Sequence, residues 1–189
     1  MADTERDTGE ETLLDRLHRA DLAAYRALTS ASSPGLDRAL ALVSEAANFS
    51  RPWVATAAVL ALAGGRRGRR AALYGIASVA VSSGVVNLAI KPLWARRRPD
   101  RTGVPAGRHV PMPSSTSFPS GHSASAFAFA TGVGAVIPAA GALLALPAAT
   151  VAYSRVHTGV HYPGDVLVGS LTGIVLARLT ASALGRAGL

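Results

Sequence analysis

The sequence predicts an all-α protein, a polytopic bundle of five to six transmembrane helices that follows an N-terminal amphipathic helix. Two observations predict this fold class. Residues 51–189 consist of long runs of Ala, Val, Leu and Gly that contain almost no charge, and the arginines gather in the short intervals between those runs. This alternation is typical of membrane spans joined by basic loops.

Charge divides the chain into two regions of opposite sign. Residues 1–50 hold nine of the 11 acidic residues, whereas residues 51–189 hold 14 of the 19 basic ones. A basic region predicts an anionic partner. Its hydropathy pattern favours the lipid bilayer over nucleic acid, because a nucleic-acid domain spreads Lys and Arg along helix faces with aromatic residues between them. We therefore predict peripheral helices over residues 1–50, a transmembrane domain over residues 51–189, and no nucleic-acid partner.

The N-terminal region carries the pattern of a surface helix. Its first ten residues are polar and mostly acidic, so no cleavable signal peptide is apparent. Residues 12–28 place Leu13, Leu17 and Leu28 on one helical stripe, with Asp15 on the opposite side. This periodicity predicts an amphipathic helix that lies on the membrane surface or packs against the bundle.

A break in this helix is predicted at residues 32–35, which read Ser-Ser-Pro-Gly. Ser33 is a suitable N-cap, and Pro34 suits the first position of a helix because an N–H at that position has no helical partner. We therefore predict that a second, partly polar helix starts here and continues over residues 36–47.

Four apolar runs follow, over residues 52–65, 71–90, 124–153 and 163–184. As a single helix, the third run would extend about 45 Å, well beyond a hydrocarbon core of about 30 Å. Pro138 lies within this run, so we predict two antiparallel spans that turn there. The four runs then supply five clear spans.

Three short clusters interrupt the apolar pattern with chemically active residues. They are Lys91 with Arg98-Pro99, then Pro119-Ser120-Gly121-His122, and then Ser154-Arg155 with His161 and Asp165. The first cluster ends the second span, the second begins the third span, and the third lies between the fourth and fifth spans. Because the chain turns at Pro138, all three clusters are expected on the same membrane face, where they can form one site.

These residue types can bind a phosphoryl group and break its ester bond. The transition state of phosphoryl transfer carries negative charge on three equatorial oxygens, so catalysis depends on positioning and electrostatic stabilisation. Lys91, Arg98 and Arg155 can supply the positive charge. Ser120 and Gly121 lie where a helix is expected to begin, and the free N–H groups of a helix N-terminus bind anions.

The two histidines predict a division of labour. One imidazole must be neutral to attack phosphorus, and the other must be protonated to neutralise the leaving oxygen. Asp165 lies four residues after His161 and can hold one of its ring nitrogens, which leaves the other nitrogen nucleophilic. We therefore predict His161 as the nucleophile, Asp165 as the residue that orients it, and His122 as the general acid.

The three clusters resemble the signature of the type 2 phosphatidic acid phosphatase (PAP2) superfamily. That signature is a lysine six residues before Arg-Pro, then Pro-Ser-Gly-His, then Ser-Arg with a histidine and an aspartate at set distances, and residues 71–184 match it throughout. The resemblance implies a membrane phosphatase of small bacterial type, a phosphohistidine intermediate and no metal or other cofactor. It also implies the same roles for the site residues, which are Lys91, Arg98, Ser120, Gly121, His122, Arg155, His161 and Asp165. Many members have six spans, whereas five are counted here.

Several nearby basic residues have two possible interpretations. Arg96, Arg97 and Arg101 can contact a substrate headgroup, or they can be ordinary charges that flank a membrane span. His157 is interpreted as a residue that supports the site or lies at the membrane interface.

The expected substrate is a lipid phosphate, because a site at the membrane face can bind the headgroup while the tail stays in the bilayer. The candidates are a polyprenyl diphosphate, phosphatidylglycerophosphate, phosphatidate and a prenyl-phospho-sugar. Arginines cluster over residues 66–70, and such clusters favour the cytoplasmic side. The expected location is therefore a bacterial cell membrane, with the active face outside the cytoplasm.

Two other classes of protein remain as alternatives. The same set of residues resembles the site of vanadium-dependent haloperoxidases, where vanadate takes the place of phosphate. Those enzymes resemble soluble proteins, and five predicted apolar spans argue against that class. A non-catalytic membrane protein that binds anionic lipid would need the basic loops, but it would not need His161 with Asp165.

Overall fold

A computed structural model describes residues 12–30 and 33–189, and those residues form seven helices and no strand. The helices are α1 Leu13–Ser30, α2 Pro34–Ala46, α3 Arg51–Ala63, α4 Gly65–Gly84, α5 Gly121–Gly134, α6 Pro138–His157 and α7 Pro163–Arg186. The predicted all-α class is confirmed. The interpretation of the first ten residues, and of Ser32 in the predicted break, lies outside the described residues.

The predicted start of α2 is confirmed in its position. Ser33 is the N-cap, with extended backbone angles, and Pro34 is the first residue of the helix. The Ser33 side chain forms no capping hydrogen bond. The helix start is therefore favoured by the restricted φ of Pro34 and not by a hydrogen bond from the serine hydroxyl.

The five predicted spans correspond to helices α3 to α7, but these differ in length. Helix α4 continues through a π-helical turn, Val85–Ile90, into Lys91–Leu93. By length and composition, three helices in the described part of the chain can cross a membrane: Gly65–Leu93, α6 and α7. Helices α3 and α5 have 13 and 14 residues, which is about 20 Å of helix against a hydrocarbon core of about 30 Å.

The predicted turn at Pro138 is present. Helix α5 ends at Gly134, and α6 begins at Pro138 in the N-terminal position that suits proline. Two glycines allow this turn to be tight, since a Cβ atom on Gly141 would overlap the Cα atom of Gly134. The start of α5 and the end of α6 consequently lie at the same end of the bundle.

Helix α5 is the centre of the molecule and packs against α4, α6 and α7. Its backbone approaches its neighbours closely because small residues line the contacts. A Cβ atom on Gly173 of α7 would overlap the carbonyl oxygen of Ala124, and one on Gly169 would overlap that of Ser120. The apolar core surrounds Phe129 of α5, which is fully buried beside Trp53 of α3.

The N-terminal helices cover the same end of the bundle as the three clusters. Tyr25 of α1 packs with Val104 and Val156, and the buried Asp37 of α2 accepts hydrogen bonds from Arg108 and His157. His157 therefore joins α2 to α6, and its interpretation as a residue that supports the site or lies at the membrane interface stays a prediction. The division of the chain at residue 50 stays a prediction.

A groove of about 1030 Å³ runs between α1, the segment after α4 and α7. Apolar side chains form most of its wall, among them Leu17 of α1, Leu167 of α7, and Trp94 of the segment after α4. Arg96 also lines the groove. The leucines at the start of α1 are exposed, which agrees with the predicted amphipathic helix.

Candidate active site

The helix ends bring the three clusters together around one cavity of about 230 Å³. Five of the eight predicted site residues line it: Lys91, Arg98, Gly121, His122 and His161. They come from the end of α4, the loop after it, the first turn of α5 and the loop before α7. The predicted placement on one face is thus observed in the structure.

The other three predicted residues lie behind the wall of the cavity. The Ser120 hydroxyl caps α5, since it accepts hydrogen bonds from the N–H and the hydroxyl of Ser123 at 3.4 and 2.9 Å. Arg155 donates to the Ser44 hydroxyl at 2.6 Å, and its buried Nε has no hydrogen-bond partner within the described ranges. The roles of Ser120 and Arg155 in phosphate binding stay predictions.

Arg98 is held by carbonyl oxygens on both sides of the cavity. Its Nη1 donates to the Val160 carbonyl at 2.7 Å, and its Nε donates to the Ser115 carbonyl at 3.0 Å. The Ser115 hydroxyl also accepts from the Lys91 ammonium at 3.2 Å. Because these carbonyls fix the guanidinium but do not neutralise it, its charge remains available to an anion.

His161 is held as the tautomer that a nucleophile requires. Its Nε2 lies 3.3 Å from Nη1 of Arg98, and a guanidinium can only donate hydrogen bonds. We therefore assign Nε2 as the unprotonated nitrogen and place the ring proton on Nδ1, which faces the Asp165 carboxylate at 3.5 Å without a hydrogen bond within the described residues. Burial lowers the pKa of His161 to about 4, with Asp165 opposing this shift and Arg98 and Arg155 adding to it. The imidazole is thus neutral near pH 7.

Asp165 has partners on both carboxylate oxygens. Oδ2, which faces His161, accepts from the Ser117 hydroxyl in a short hydrogen bond and from the Tyr162 N–H at 3.0 Å. Oδ1 accepts from Nη1 of Arg96 at 2.7 Å. The carboxylate is completely buried, and these donors compensate for its desolvation.

His122 contacts a residue that sequence reasoning missed. Its Nε2 lies 2.9 Å from Oδ1 of Asn48, and this amide oxygen can accept a hydrogen bond from a protonated ring nitrogen. The next two residues, Phe49 and Ser50, have positive φ angles of 56° and 57° and line the same cavity. Left-handed backbone at two consecutive non-glycine residues costs about 1–3 kcal/mol each and is concentrated at functional sites.

Arg96 is a residue that the sequence left with two interpretations, a headgroup contact or a flanking charge. The chain after α4 is not helical, and in extended chain alternate side chains point to the same side. Arg96 and Arg98 accordingly are partly buried, whereas Arg97 between them is exposed. This alternation is the sequence signal that could have distinguished the three arginines.

The cavity is suited to an anion. Cationic side chains line it, and no described acidic residue does so, because Asp165 lies behind His161. The part of the chain that the structure describes contains no group of three His, Asp or Glu residues placed to hold a metal ion. The predicted independence of metal ions stays a prediction.

A helical membrane bundle with a cationic cavity, a His–Asp pair and a second histidine defines the class of membrane phosphatases. Residues 71–188 match the family model of the PAP2 superfamily. The chain therefore belongs to the PAP2 superfamily. It is an integral membrane phosphatase, and its family acts on lipid phosphates.

Named relatives agree with this assignment. The chain is 34% identical over 178 residues to the decaprenylphosphoryl-5-phosphoribose phosphatase of Mycobacterium tuberculosis, which covers 92% of this chain and 96% of that protein. The enzyme of the same name from Mycolicibacterium smegmatis is 34% identical over 141 residues, 74% of each chain.

Two solved structures share the fold. Aquifex aeolicus LpxE superposes with a TM-score of 0.67 and 26% identity, over 85% of this chain and 94% of that one. The PAP2-type phosphatidylglycerolphosphate phosphatase of Bacillus subtilis gives a TM-score of 0.68 and 24% identity, over 91% of this chain and 88% of that one. The latter likeness concerns the fold alone.

Proposed function

We propose that the chain hydrolyses the phosphate monoester of a polyprenyl-phospho-sugar through a phosphohistidine on Nε2 of His161. The observation that carries the reaction type is the unprotonated Nε2 beside Arg98 in a cavity lined by cations. The choice among lipid phosphates is supported by 34% identity, over nearly the full length, to an enzyme named for decaprenylphosphoryl-5-phosphoribose.

In the first step, Nε2 of His161 attacks phosphorus as the bond from phosphorus to the ester oxygen breaks. Lys91 and Arg98 stabilise the charge on the equatorial oxygens, and the predicted role of Arg155 is the same. The leaving oxygen takes a proton from His122 and departs as the alcohol of the sugar. Asp165 stabilises the charge that develops on the His161 ring.

In the second step, water hydrolyses the phosphohistidine. His122, now neutral, takes a proton from the water as its oxygen attacks phosphorus, and the phosphorus–nitrogen bond breaks. Inorganic phosphate leaves, and His161 returns to its neutral form. The two steps together consume one water and restore both histidines.

The size of the cavity suits the phosphate group of the substrate rather than the whole lipid. At about 230 Å³ it is smaller than the sites of about 300–1,000 Å³ that enclose whole drug-sized ligands. It suits the phosphate group, while the remaining sugar and the polyprenyl chain extend toward the membrane surface and the bilayer.

The test is phosphate release by purified protein in detergent with EDTA, using all four lipid classes named above. We expect fastest release from the polyprenyl-phospho-sugar phosphate, and loss of release in His161→Ala. Phosphohistidine hydrolyses in acid, so the reaction should be quenched in alkali and the intermediate located by mass spectrometry. Full activity of His161→Ala would refute the nucleophile, and bound vanadate with bromide oxidation would instead indicate a haloperoxidase.

We also propose that the site faces away from the cytoplasm. Arg66, Arg67 and Arg70 lie in the first turns of the 29-residue helix Gly65–Leu93, at the end opposite Lys91, and Gly185 near the end of α7 lies beside them. Arginines concentrated at one end of a bundle favour the cytoplasmic side of that end.

The absence of cysteine from the sequence makes this orientation simple to test. Single cysteines at the exposed positions Arg69 and Thr102 would mark the basic end and the active end. In intact spheroplasts, an impermeant maleimide should label Thr102→Cys, whereas Arg69→Cys should react only after lysis. The reverse pattern would place the active site in the cytoplasm.

A further inference from the structure

Arg96 lies between two carboxylates that belong to distant parts of the chain. Its Nη1 donates to Oδ1 of Asp165 at 2.7 Å, and its Nη2 donates to Oδ2 of Asp21 at 2.7 Å. Its guanidinium carbon also stacks 4.2 Å from the centre of the Tyr162 ring. The side chains of Arg96 and Asp21 are only 19% and 12% exposed, so solvent screens these pairs far less than surface ion pairs.

The two oxygens of Asp165 therefore have separate tasks. Oδ2 faces Nδ1 of His161, while Oδ1 is held by Arg96. The rotation of a carboxylate about its last side-chain bond is otherwise broad, so the bond to Arg96 limits the plane in which Oδ2 can lie. Without Arg96, a completely buried carboxylate would also lose its only cationic side-chain donor among the described residues.

Asp21 extends this network to helix α1. While its Oδ2 accepts from Arg96, its Oδ1 accepts from the N–H of Gly164 at 2.7 Å. Gly164 directly precedes Asp165 in the first turn of α7. The approach is close, since a Cβ atom on Gly164 would lie 2.9 Å from Oδ2 of Asp21. One carboxylate of α1 thus fixes both Arg96 and the backbone next to Asp165.

We propose that Arg96 and Asp21 are positioning residues for phosphoryl transfer, which act on His161 through Asp165 and make α1 part of the catalytic machinery. This inference rests on the proposed function, in which His161 is the nucleophile. Neither Arg96 nor Asp21 lines the phosphate cavity, so both act without touching the substrate.

The kinetic test compares Arg96→Gln and Arg96→Lys with the matched control Arg97→Gln, whose side chain is exposed. The substrate is the lipid phosphate that the wild-type protein hydrolyses fastest. Arg96→Gln should lower kcat about 10–100-fold, the usual effect of removing an outer partner of a reacting group, with KM changed less than about twofold. Arg96→Lys should recover part of kcat, since an ammonium can bind one carboxylate, and Arg97→Gln should behave as wild type.

The same comparison on α1 uses Asp21→Asn, with Asp15→Asn as its control. Asp15 bonds to Thr12 at the exposed start of the helix. We expect a smaller loss of kcat in Asp21→Asn, about three- to tenfold, because Arg96 retains Asp165. Asp15→Asn should have no effect. Unchanged kcat in both Arg96→Gln and Asp21→Asn would overturn the proposal, and so would a raised KM at unchanged kcat.

A spectroscopic measurement separates this proposal from the proposed function. Ring ¹⁵N shifts of His161 at pH 7 report which nitrogen carries the proton, and they need no substrate. Both proteins should carry the proton on Nδ1, because Arg98 faces Nε2 in each, but the Nδ1 shift should move in Arg96→Gln because Asp165 is no longer held in place. An unchanged Nδ1 shift in Arg96→Gln would contradict positioning through Asp165, even if the wild type hydrolyses none of the lipids tested. If Arg96→Gln does not fold, Arg96→Lys and Asp21→Asn give the same readout.

Discussion

Individual residues set the protonation states on which the proposed reaction depends. Nδ1 of His161 faces Asp165 at 3.5 Å, and its Nε2 lies beside Arg98. His122 presents Nε2 to Asn48 and has no carboxylate partner among the described residues. The proposed nucleophile is therefore kept neutral by burial, and the proposed acid has no described carboxylate to hold its proton before a phosphate enters the cavity.

The protonation of His161 gives a direct prediction. Its pKa is lowered from the ordinary value of 6.5 to about 4, chiefly by burial, so the neutral ring should persist as pH falls through 6.5. A ¹⁵N titration of the substrate-free protein should show the neutral ring at pH 5. The unfolded chain binds this proton near pH 6.5, so His161 should also reduce stability as pH falls from 6.5 toward 4. Protonation above pH 6 would contradict the prediction.

Asn48 gives a second prediction at this scale. Its carbonyl oxygen can hold the Nε2–H of His122 while the other nitrogen serves the leaving oxygen. Asn48→Ala should lower kcat on the lipid ester about five- to tenfold, the effect of one lost hydrogen bond. Loss on nitrophenyl phosphate should be smaller, because that leaving group needs little protonation.

A double variant provides the control. In the His122→Ala background, Asn48→Ala should cause almost no further loss, because the two side chains act as one unit. Equal losses in both backgrounds would show that Asn48 acts independently of His122. Equal losses of His122→Ala on both substrates would likewise count against its role as an acid.

At the scale of helices, backbone contacts fix the distance between the histidine on α5 and the aspartate on α7. Gly173 and Gly169 of α7 face the carbonyl oxygens of Ala124 and Ser120 so closely that no side chain fits between them. Each helix therefore brings its first turn to the cavity at a separation set by main-chain atoms. Side-chain repacking cannot adjust this separation.

Gly173→Ala tests this contact. The added methyl group would overlap the Ala124 carbonyl, so α5 and α7 must separate, and we expect a loss of stability of about 1–3 kcal/mol with lower kcat. Gly84→Ala is the matched control, because nothing lies within 4 Å of its Cβ position in α4. That variant should be neutral or more stable, as expected for alanine within a helix. Thermal unfolding in detergent measures both.

The helices also show how far the sequence could predict the site. Apolar runs and Pro138 predicted the order of the spans, and that order predicted a shared face for Lys91, His122 and His161. Asn48 was missed, and Arg96 was left with two interpretations, because their contacts join segments far apart in the chain. The unequal lengths of the helices were not predicted, because apolar composition does not reveal that α3 and α5 are only 13 and 14 residues long.

At the scale of the whole molecule, the active end is expected to lie at the membrane interface. Trp94, directly after the α4 extension, is 54% exposed, whereas Trp53 is 2% exposed within the core. Tryptophan is enriched at the level of the lipid headgroups. The exposed Leu14 and Leu17 of α1 line the same groove as Trp94, so these side chains should contact lipid.

Fluorescence in proteoliposomes can test this placement. The variant Trp53→Phe leaves Trp94 as the only tryptophan, since the sequence has two. Its emission should be quenched more by lipids brominated near the headgroup than by lipids brominated near the chain ends. The converse variant, Trp94→Phe, should be quenched weakly because Trp53 is buried. If neither lipid quenches Trp94, the active end does not lie at the membrane interface.

The groove between α1 and α7 has a consequence for inhibition. It shares no lining residue with the phosphate cavity, yet it contains Arg96 and Asp21. An amphiphilic compound that binds there and separates this pair would disturb Asp165 without competing for phosphate. Such a compound would lower the maximal rate at every substrate concentration, and it would not need the highly charged groups that phosphate mimics require.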